Sequence, residues 1–323
     1  MNKKGILLIN LGTPANCDPW SVYRYLTEFL NDPRVIDLPS IARCVLVNLI
    51  IVPLRFKKSA AAYQKIWTTE GSPLLANSQQ ISNAVANELG DEYHVELAMR
   101  YGKPSIASAL KKLKACAELT IVPLFPQYSS AATGSAVGKA LEIIAKQWNL
   151  PAIKTIKDFY DNAGFISAYA DVIDKNIAGK KIDKILFSYH GLPERHLDKS
   201  GKNNNYCYRT QCYATADLLA QKLNLTKQQY TVCFQSRLGR TPWIKPYTDL
   251  VLPELIQQGV KNIAIVCPSF VADCLETLEE INIRAREQWQ QLGGNEFVFV
   301  PCINAHPIWI KALIEKVREQ NHA

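Results

Sequence analysis

Four short apolar runs constrain the fold of this chain more than any other feature. They are GILLIN (5–10), LTIVPLF (119–125), KILFSY (184–189) and NIAIVCPSF (262–270). Each run ends in a turn rich in Gly, Pro or Ser, and a segment with helical periodicity follows it. Strands that are apolar without alternation are typical of parallel sheets covered by helices on both faces. The sequence therefore predicts an α/β fold with parallel sheets.

A weak internal duplication divides the chain. The turn Gly12-Thr13-Pro14 recurs as Gly191-Leu192-Pro193, and IVPLFPQYSS (121–130) is echoed by IVCPSFVADC (265–274). Two similar, doubly wound, Rossmann-like halves explain both repeats, and we expect them to comprise residues 1–155 and 156–323. In such sheets ligands bind outside the carboxyl ends of the strands, so we expect the site in a cleft between the halves.

Composition narrows the class of protein. With 323 residues, of which 48% are apolar, the chain is long enough for two cores. The net charge of +8 is spread along the chain, so nucleic-acid binding is not predicted. The first residues lack the apolar region of a signal peptide, and nine cysteines, an odd number, suit reduced thiols. We therefore predict a cytoplasmic protein; the sequence leaves the oligomeric state open.

One further apolar segment, CVLVNLIIVPL (44–54), is too short to cross a membrane. It has 11 residues, whereas a spanning helix needs about 20. Arg55, Lys57 and Lys58 follow it directly. Two interpretations are open. The segment either lies peripherally at the inner face of a membrane or at the lip of a pocket for an apolar anion, or it is an ordinary core helix with a basic end.

Two groups of polar residues in the second half carry the chemical signal. His190 directly follows a predicted strand and precedes a Gly-x-Pro turn, so we expect it at the mouth of the cleft. Glu276 and Glu280 are four residues apart and would share one helix face. A histidine and a carboxylate are suitable ligands for Fe²⁺ or another divalent metal. The alternatives are a structural histidine and a solvated acidic face, with Asp273 as a helix cap.

Six segments, in order along the chain, also carry a family resemblance. They are LLINLGTP (7–14), AMRYGKPSI (98–106), FPQYSSAATGS (125–135), FSYHGLPERH (187–196), FQSRLGRTPWIKPYTD (234–249) and FVADCLETLEE (270–280). With these segments the chain resembles the ferrochelatases over essentially its whole length.

The resemblance implies a fold, an activity and a set of residues. The fold is that of the class II chelatases, and the activity is a lyase reaction that inserts Fe²⁺ into protoporphyrin IX as the last step of haem biosynthesis. His190 and Glu276 correspond to the essential histidine and glutamate of the family and would serve as metal ligands. Arg100 matches an arginine that the family places at the pocket.

The chemistry of metallation is consistent with these assignments. Two pyrrole N–H protons must leave while the cation loses its waters, so the site needs a base together with replacement ligands. We expect His190 to accept a proton, and Glu276, with Glu280 one turn behind it, to deliver iron or carry protons away.

The macrocycle must also be held and bent, which takes binding energy from other parts of the substrate. We expect Leu11, Tyr128 and Trp243 to form pocket walls, and Arg55 and Arg100 to bind the propionates.

Departures from the family pattern leave the exact activity open. Some members act on coproporphyrin and have an aromatic residue where this chain has Leu11, so protoporphyrin is favoured. The sequence also allows a chelatase for Co²⁺ or Ni²⁺, or a haem- or metal-binding protein without catalysis. Cys274 replaces a histidine found in some branches, and we expect it to be a buried, inert thiol.

Some members carry a [2Fe–2S] cluster. In this chain Cys207, Cys212 and Cys233 provide three of the four thiolates that a cluster needs. The segment 196–206, where cluster-bearing relatives have further cysteines, contains none. A cluster is therefore not favoured.

Overall fold

The computed structural model describes residues 3–201, 207–239 and 241–322. Residues 202–206, part of the segment where a cluster would require further cysteines, lie outside the described residues. The chain forms two compact units. The first comprises the chain up to Phe125, Ser129–Asp158 and the chain from Leu313 onward; the second comprises Pro126–Tyr128 and Phe159–Ala312.

The first unit is built on one parallel sheet. Its strands are β1 (Lys4–Thr13), β2 (Tyr93–Gly102), β3 (Glu118–Pro123) and β4 (Ala152–Thr155), in the order β2-β1-β3-β4. Its helices are α1 (Pro19–Leu30), α2 (Ser40–Val45), α3 (Val52–Ile66), α4 (Pro73–Leu89), α5 (Ile106–Lys112) and α6 (Ser135–Ile144). Two π-helical segments, Leu46–Ile51 and Ser130–Gly134, precede α3 and α6, and short 3₁₀ turns span Gly90–Glu92 and Leu113–Ala115.

The second unit repeats this plan. Its strands are β5 (Lys184–His190), β6 (Tyr230–Gln235), β7 (Ile263–Val266) and β8 (Phe297–Phe299), all parallel and in the order β6-β5-β7-β8. Its helices are α7 (Ala163–Ile177), α8 (Glu194–Ser200), α9 (Tyr208–Lys222), α10 (Thr248–Gln257), α11 (Arg286–Gln291) and the start of α12 (Pro307–His322). A π-helix, Glu276–Ala285, leads into α11. The prediction of two similar, parallel α/β sheets is therefore confirmed.

The continuous apolar runs form strands because both faces of each sheet are covered. In β1 the four consecutive residues Ile6–Ile9 are fully buried, although successive side chains point to opposite faces. In the second unit Ile263, Ile265 and Leu186 pack with Trp289 in one core. Each fully buried Leu or Ile side chain contributes about 1.5–3 kcal/mol relative to exposure, so these runs fix the sheets firmly.

No helix among residues 3–201, 207–239 and 241–322 has the length and apolar character needed to cross a membrane.

A buried carboxylate joins three segments of the first unit. Asp32 follows α1 and accepts hydrogen bonds from Arg100 Nη2 (2.6 Å), Ser135 Oγ (2.5 Å) and Tyr101 Oη (2.9 Å), and from the backbone N–H of Arg34 (2.7 Å). Burial works to raise the pKa of Asp32, but these hydrogen bonds and the charge of Arg100 outweigh it and hold the pKa below its ordinary value. Asp32 therefore stabilises the folded state in its charged form.

Replacing this carboxylate should destabilise the protein in a pH-dependent way. We expect Asp32→Asn to lower the free energy of unfolding at pH 7 by about 3 kcal/mol, because Arg100 loses its buried partner. Since the folded pKa lies below the ordinary 3.8, the loss should be complete above that value and shrink as the pH falls through the folded pKa. Urea denaturation of both proteins across this pH range measures the effect.

Asp91→Asn is the matched control, since Asp91 is fully exposed and meets Lys3 Nζ at 3.5 Å. An Asp32→Asn protein as stable at pH 7 as the control would contradict the role given to Asp32.

Candidate active site

His190 is fixed by its backbone at the carboxyl end of a strand. It is the last residue of β5 and pairs with Gln235 of β6. Its N–H donates to Ser269 Oγ (3.0 Å), in the loop after β7, and its carbonyl accepts from Tyr208 Oη (2.8 Å), at the start of α9. The imidazole is half-buried. Three elements therefore set its position.

The ring of His190 presents one particular nitrogen for chemistry. Nδ1 lies 2.6 Å from the carbonyl oxygen of Gly191. A carbonyl only accepts, so Nδ1 carries the proton of the neutral ring and Nε2 keeps its lone pair. A backbone carbonyl that fixes the tautomer in this way is typical of histidines that bind metals or accept protons. Nε2 is therefore the atom that can act as a base or ligand.

The turn after His190 needs glycine and brings Trp243 close. A Cβ on Gly191 would lie 2.8 Å from the Gln235 carbonyl oxygen and 3.3 Å from the Trp243 ring. Backbone hydrogen bonds between the turn and the segment around Trp243, including Ile244 N–H to the Leu192 carbonyl (3.0 Å), hold the two together. The Trp243 indole donates to the Leu238 carbonyl (2.8 Å). The Trp243 ring thus lies against the turn that follows His190.

Glu276 and Glu280 lie on a π-helix, a rare conformation that is frequent at functional sites. The carbonyl of Glu276 accepts from Gln235 Nε2 (2.8 Å). The carboxylate of Glu280 accepts from the N–H (2.9 Å) and the hydroxyl (2.5 Å) of Ser236. Both contacts come from the end of β6, the strand that pairs with β5. The two glutamates, both half-buried, are therefore tied to the strand next to His190.

The electrostatics place Glu280 in the field of His190. Burial raises the pKa of Glu280, while the Ser236 hydrogen bonds and the charges of Arg284 and His190 oppose the rise. This carboxyl therefore holds a proton more readily than a solvated glutamate does. A carboxyl group with a raised pKa is a candidate to accept a proton and pass it on.

The acidic cluster is not a solvated face. Glu279 is buried and pairs with Arg284 Nε at 2.8 Å. Asp273, also buried, accepts from Thr277 Oγ1 (3.0 Å), the Cys302 N–H (3.1 Å) and Asn304 Nδ2 (2.9 Å). Asp273 therefore holds the turn that enters the π-helix, which is more than a simple helix cap does.

The cysteines of the second unit are buried thiols. Cys274 is buried, and burial raises its pKa far above the ordinary value, as expected of an unreactive thiol. Cys207, Cys212 and Cys233 are also buried, and burial raises the pKa of Cys233 to about 11. In the part of the chain that the structure describes, no group of three or more His, Cys, Asp or Glu side chains could hold a metal. The prediction about a cluster stays a prediction.

The remaining predicted site residues are distributed over both units. In the first, Leu11 is half-buried near the end of β1, and Arg100 lies on the adjacent β2, where its guanidinium bonds Asp32 and Ser135. Arg55 is exposed on α3. In the second, the Tyr128 N–H donates to Gln211 Oε1 (2.6 Å), on the same helix that begins at Tyr208. The internal ion pair gives Arg100 a structural role, and its contact with a propionate stays a prediction.

Sequence reasoning missed the supporting residues. No feature of the sequence singled out these residues within their segments. They are Gln235, which ends β6, Ser236, which follows it, and Ser269, which follows β7, and all three lie at the same edge of the sheet as His190. Position after a strand is the signal that would have found them.

The chain is similar to known proteins over nearly its whole length. The family model Ferrochelatase matches residues 3–321. A ferrochelatase of Legionella pneumophila (strain Paris) is 56% identical over 331 residues, covering 98% of this chain and 99% of its own. A ferrochelatase of Coxiella burnetii (strain CbuK_Q154) is 49% identical over 336 residues, covering 98% and 94%.

A solved structure supports the fold. SirB from Bacillus subtilis with Fe³⁺ superimposes with a TM-score of 0.59 at 13% identity, covering 98% of this chain and 95% of that one. At that identity the likeness concerns the fold alone. The match of the family model over nearly the whole length, together with the two relatives, shows that the chain belongs to the ferrochelatase family.

Proposed function

We propose that this protein is a lyase that inserts Fe²⁺ into protoporphyrin IX to form protohaem. The observation that carries the proposal is the orientation of His190 by the Gly191 carbonyl, which leaves Nε2 with its lone pair, together with the electrostatic interaction of His190 with the Glu280 carboxyl of the π-helix. Membership of the ferrochelatase family supports the same activity.

His190 accepts a proton from the macrocycle. Removal of the two pyrrole N–H protons is necessary before four nitrogens can bind the metal, and Nε2 is the only ring nitrogen of His190 with an available lone pair. The proton then passes to Glu280, whose pKa burial raises and whose charge interacts with His190. Nε2 then has its lone pair again and can accept the second pyrrole proton.

Glu276 supplies ligands to the incoming iron. It is half-buried at the start of the π-helix, and its backbone is held by Gln235. A carboxylate oxygen there replaces water in the coordination shell of Fe²⁺ while His190 Nε2 faces the same metal. Iron is the substrate in this scheme and passes from these side chains to the porphyrin nitrogens.

The macrocycle needs apolar contacts for its ring and cationic partners for its propionates. Leu11, Tyr128 and Trp243 supply the apolar contacts, and Trp243 is already packed against the turn beside His190. Arg55, exposed on α3, and Arg100 bind the propionates. Leu11, in place of an aromatic residue, favours protoporphyrin over coproporphyrin.

Turnover tests the function and the roles of both residues. The purified protein, mixed anaerobically with excess protoporphyrin IX and Fe²⁺, should abolish porphyrin fluorescence over many turnovers. We expect His190→Ala and Glu276→Gln to lower kcat about 100-fold or more, because the base or the ligand is lost. His94→Ala and Glu142→Gln, changes at residues in surface ion pairs of the first unit, are the matched controls.

Quenching that stops at one equivalent of porphyrin would mean that the protein only binds tetrapyrrole. Full turnover in His190→Ala with native stability would refute the assignment of the base.

We also propose a cytoplasmic location with peripheral contact at the inner membrane surface. Nine cysteines, an odd number scattered along the chain, suit a reducing compartment. The helical stretch from α2 to α3 buries Val47 and Val52, but it leaves Ile41, Leu49 and Leu54 at 82%, 71% and 78% exposure. A core helix would bury all of these side chains, so the stretch presents an apolar surface. Its exposed apolar side ends in Arg55, Lys57 and Lys58, which favour anionic lipid.

Vesicle binding tests this contact. We expect the wild-type protein to sediment with vesicles of anionic phospholipid, and Leu49→Ser/Leu54→Ser to weaken binding at least ten-fold because two exposed leucines no longer enter the bilayer surface. The control is Trp148→Ser/Leu150→Ser, which removes two other exposed apolar side chains of the same unit. Equal binding by both double variants, or no binding by the wild type, would contradict the proposal.

A further inference from the structure

Ser236 has an unusual backbone for its residue type. It lies directly after β6, and its φ is +65°, in the left-handed region that side chains other than glycine rarely adopt. Such a conformation persists only where surrounding contacts hold it, and it is frequent at functional sites. The backbone of Ser236 therefore adopts a conformation that its residue type disfavours, and contacts elsewhere in the fold must hold it there.

The contacts of Ser236 indicate what holds this conformation. In this conformation the backbone N–H reaches one oxygen of the Glu280 carboxylate, Oε1, at 2.9 Å, and the hydroxyl reaches the other, Oε2, at 2.5 Å. Two donors on two oxygens fix the plane of a carboxylate as well as its position. The same residue therefore supplies both contacts, across 44 positions in sequence.

The neighbouring residue serves the backbone of the same helix. Gln235 donates to the Glu276 carbonyl (2.8 Å), and its own oxygen accepts from Ser188 Oγ (2.8 Å) and from Cys267 Sγ (3.4 Å). The start of the π-helix is thus anchored independently of Ser236. Loss of the Ser236 hydroxyl should therefore leave the helix in place and free only the carboxyl group.

We propose that Ser236 is a positioning residue that holds the Glu280 carboxyl in the one orientation that can take a proton from His190. This inference rests on the proposed function, because Glu280 is the next proton carrier there. Ser236 itself touches neither proton donor nor metal in this scheme, and it acts through Glu280.

A purely structural role predicts something different. If Ser236 were only a turn residue, Ser236→Gly would relieve the left-handed backbone and leave activity unchanged. If Ser236 positions Glu280, the glycine variant keeps the N–H contact but loses the hydroxyl contact. The melting temperature should then be maintained while kcat falls.

The experiment compares Ser236→Gly, Ser236→Ala, Glu280→Gln and the double variant Ser236→Gly/Glu280→Gln. We expect Ser236→Gly to melt at or above the wild-type temperature and Ser236→Ala below it. Both should lose ten-fold or more in kcat, with KM for protoporphyrin within two-fold of the wild type. In the Glu280→Gln background, Ser236→Gly should have no further effect on kcat, because the carboxylate it orients is gone.

Wild-type kcat in Ser236→Gly, or losses that multiply in the double variant, would overturn the inference while leaving the proposed function intact. If the wild-type protein does not turn over, the proposed function fails. The inference is then decided by crystal structures of the wild type and Ser236→Gly: one Glu280 rotamer in the first and a rotated carboxyl in the second support it, and an unmoved carboxyl refutes it.

Discussion

Parallel pairing of β5 with β6 and β7 is the constraint on which the site depends. Because the strands run in the same direction, their carboxyl ends meet at one edge, and the chain leaves each of them with a polar residue. His190 ends β5, Gln235 ends β6, and Ser269 follows β7 and accepts from the backbone of His190. Burial of the apolar strands therefore brings chemically useful groups together without local sequence contacts.

The π-helix brings two glutamates to this edge. Gln235 donates to the carbonyl of Glu276, and Ser236 donates to the carboxylate of Glu280. The end of β6 therefore determines where both glutamates lie. The buried carboxylate of Asp273 accepts hydrogen bonds from Thr277 and Asn304, and these bonds fix the turn that precedes the π-helix. Fixed groups of this kind can stabilise charge without reorganising during the reaction.

The sequence predicted the fold well because a strand that is buried on both faces appears as an uninterrupted apolar run. The internal duplication repeats this signal in the second half of the chain. The sequence also predicted that His190 ends a strand and that Glu276 and Glu280 share one helix, since strand ends and helical spacing are visible in a single segment. The roles of these residues in the reaction stay predictions. The sequence could not predict that Glu279 pairs with Arg284 inside a π-helix, or that Arg100 bonds Asp32, 68 positions away. These outcomes depend on how the folded chain packs, which no local pattern records. The left-handed conformation of Ser236 arises in the same way.

The most direct test of the account is a crystal structure of the protein with protoporphyrin IX bound in the absence of metal. The account predicts that His190 Nε2 lies within about 3 Å of a pyrrole nitrogen, directly or through one water. Nδ1 should remain on the Gly191 carbonyl, and the carboxyls of Glu276 and Glu280 should lie at the same face of the ring. A macrocycle bound away from His190, or an imidazole turned so that Nε2 points into the protein, would contradict it.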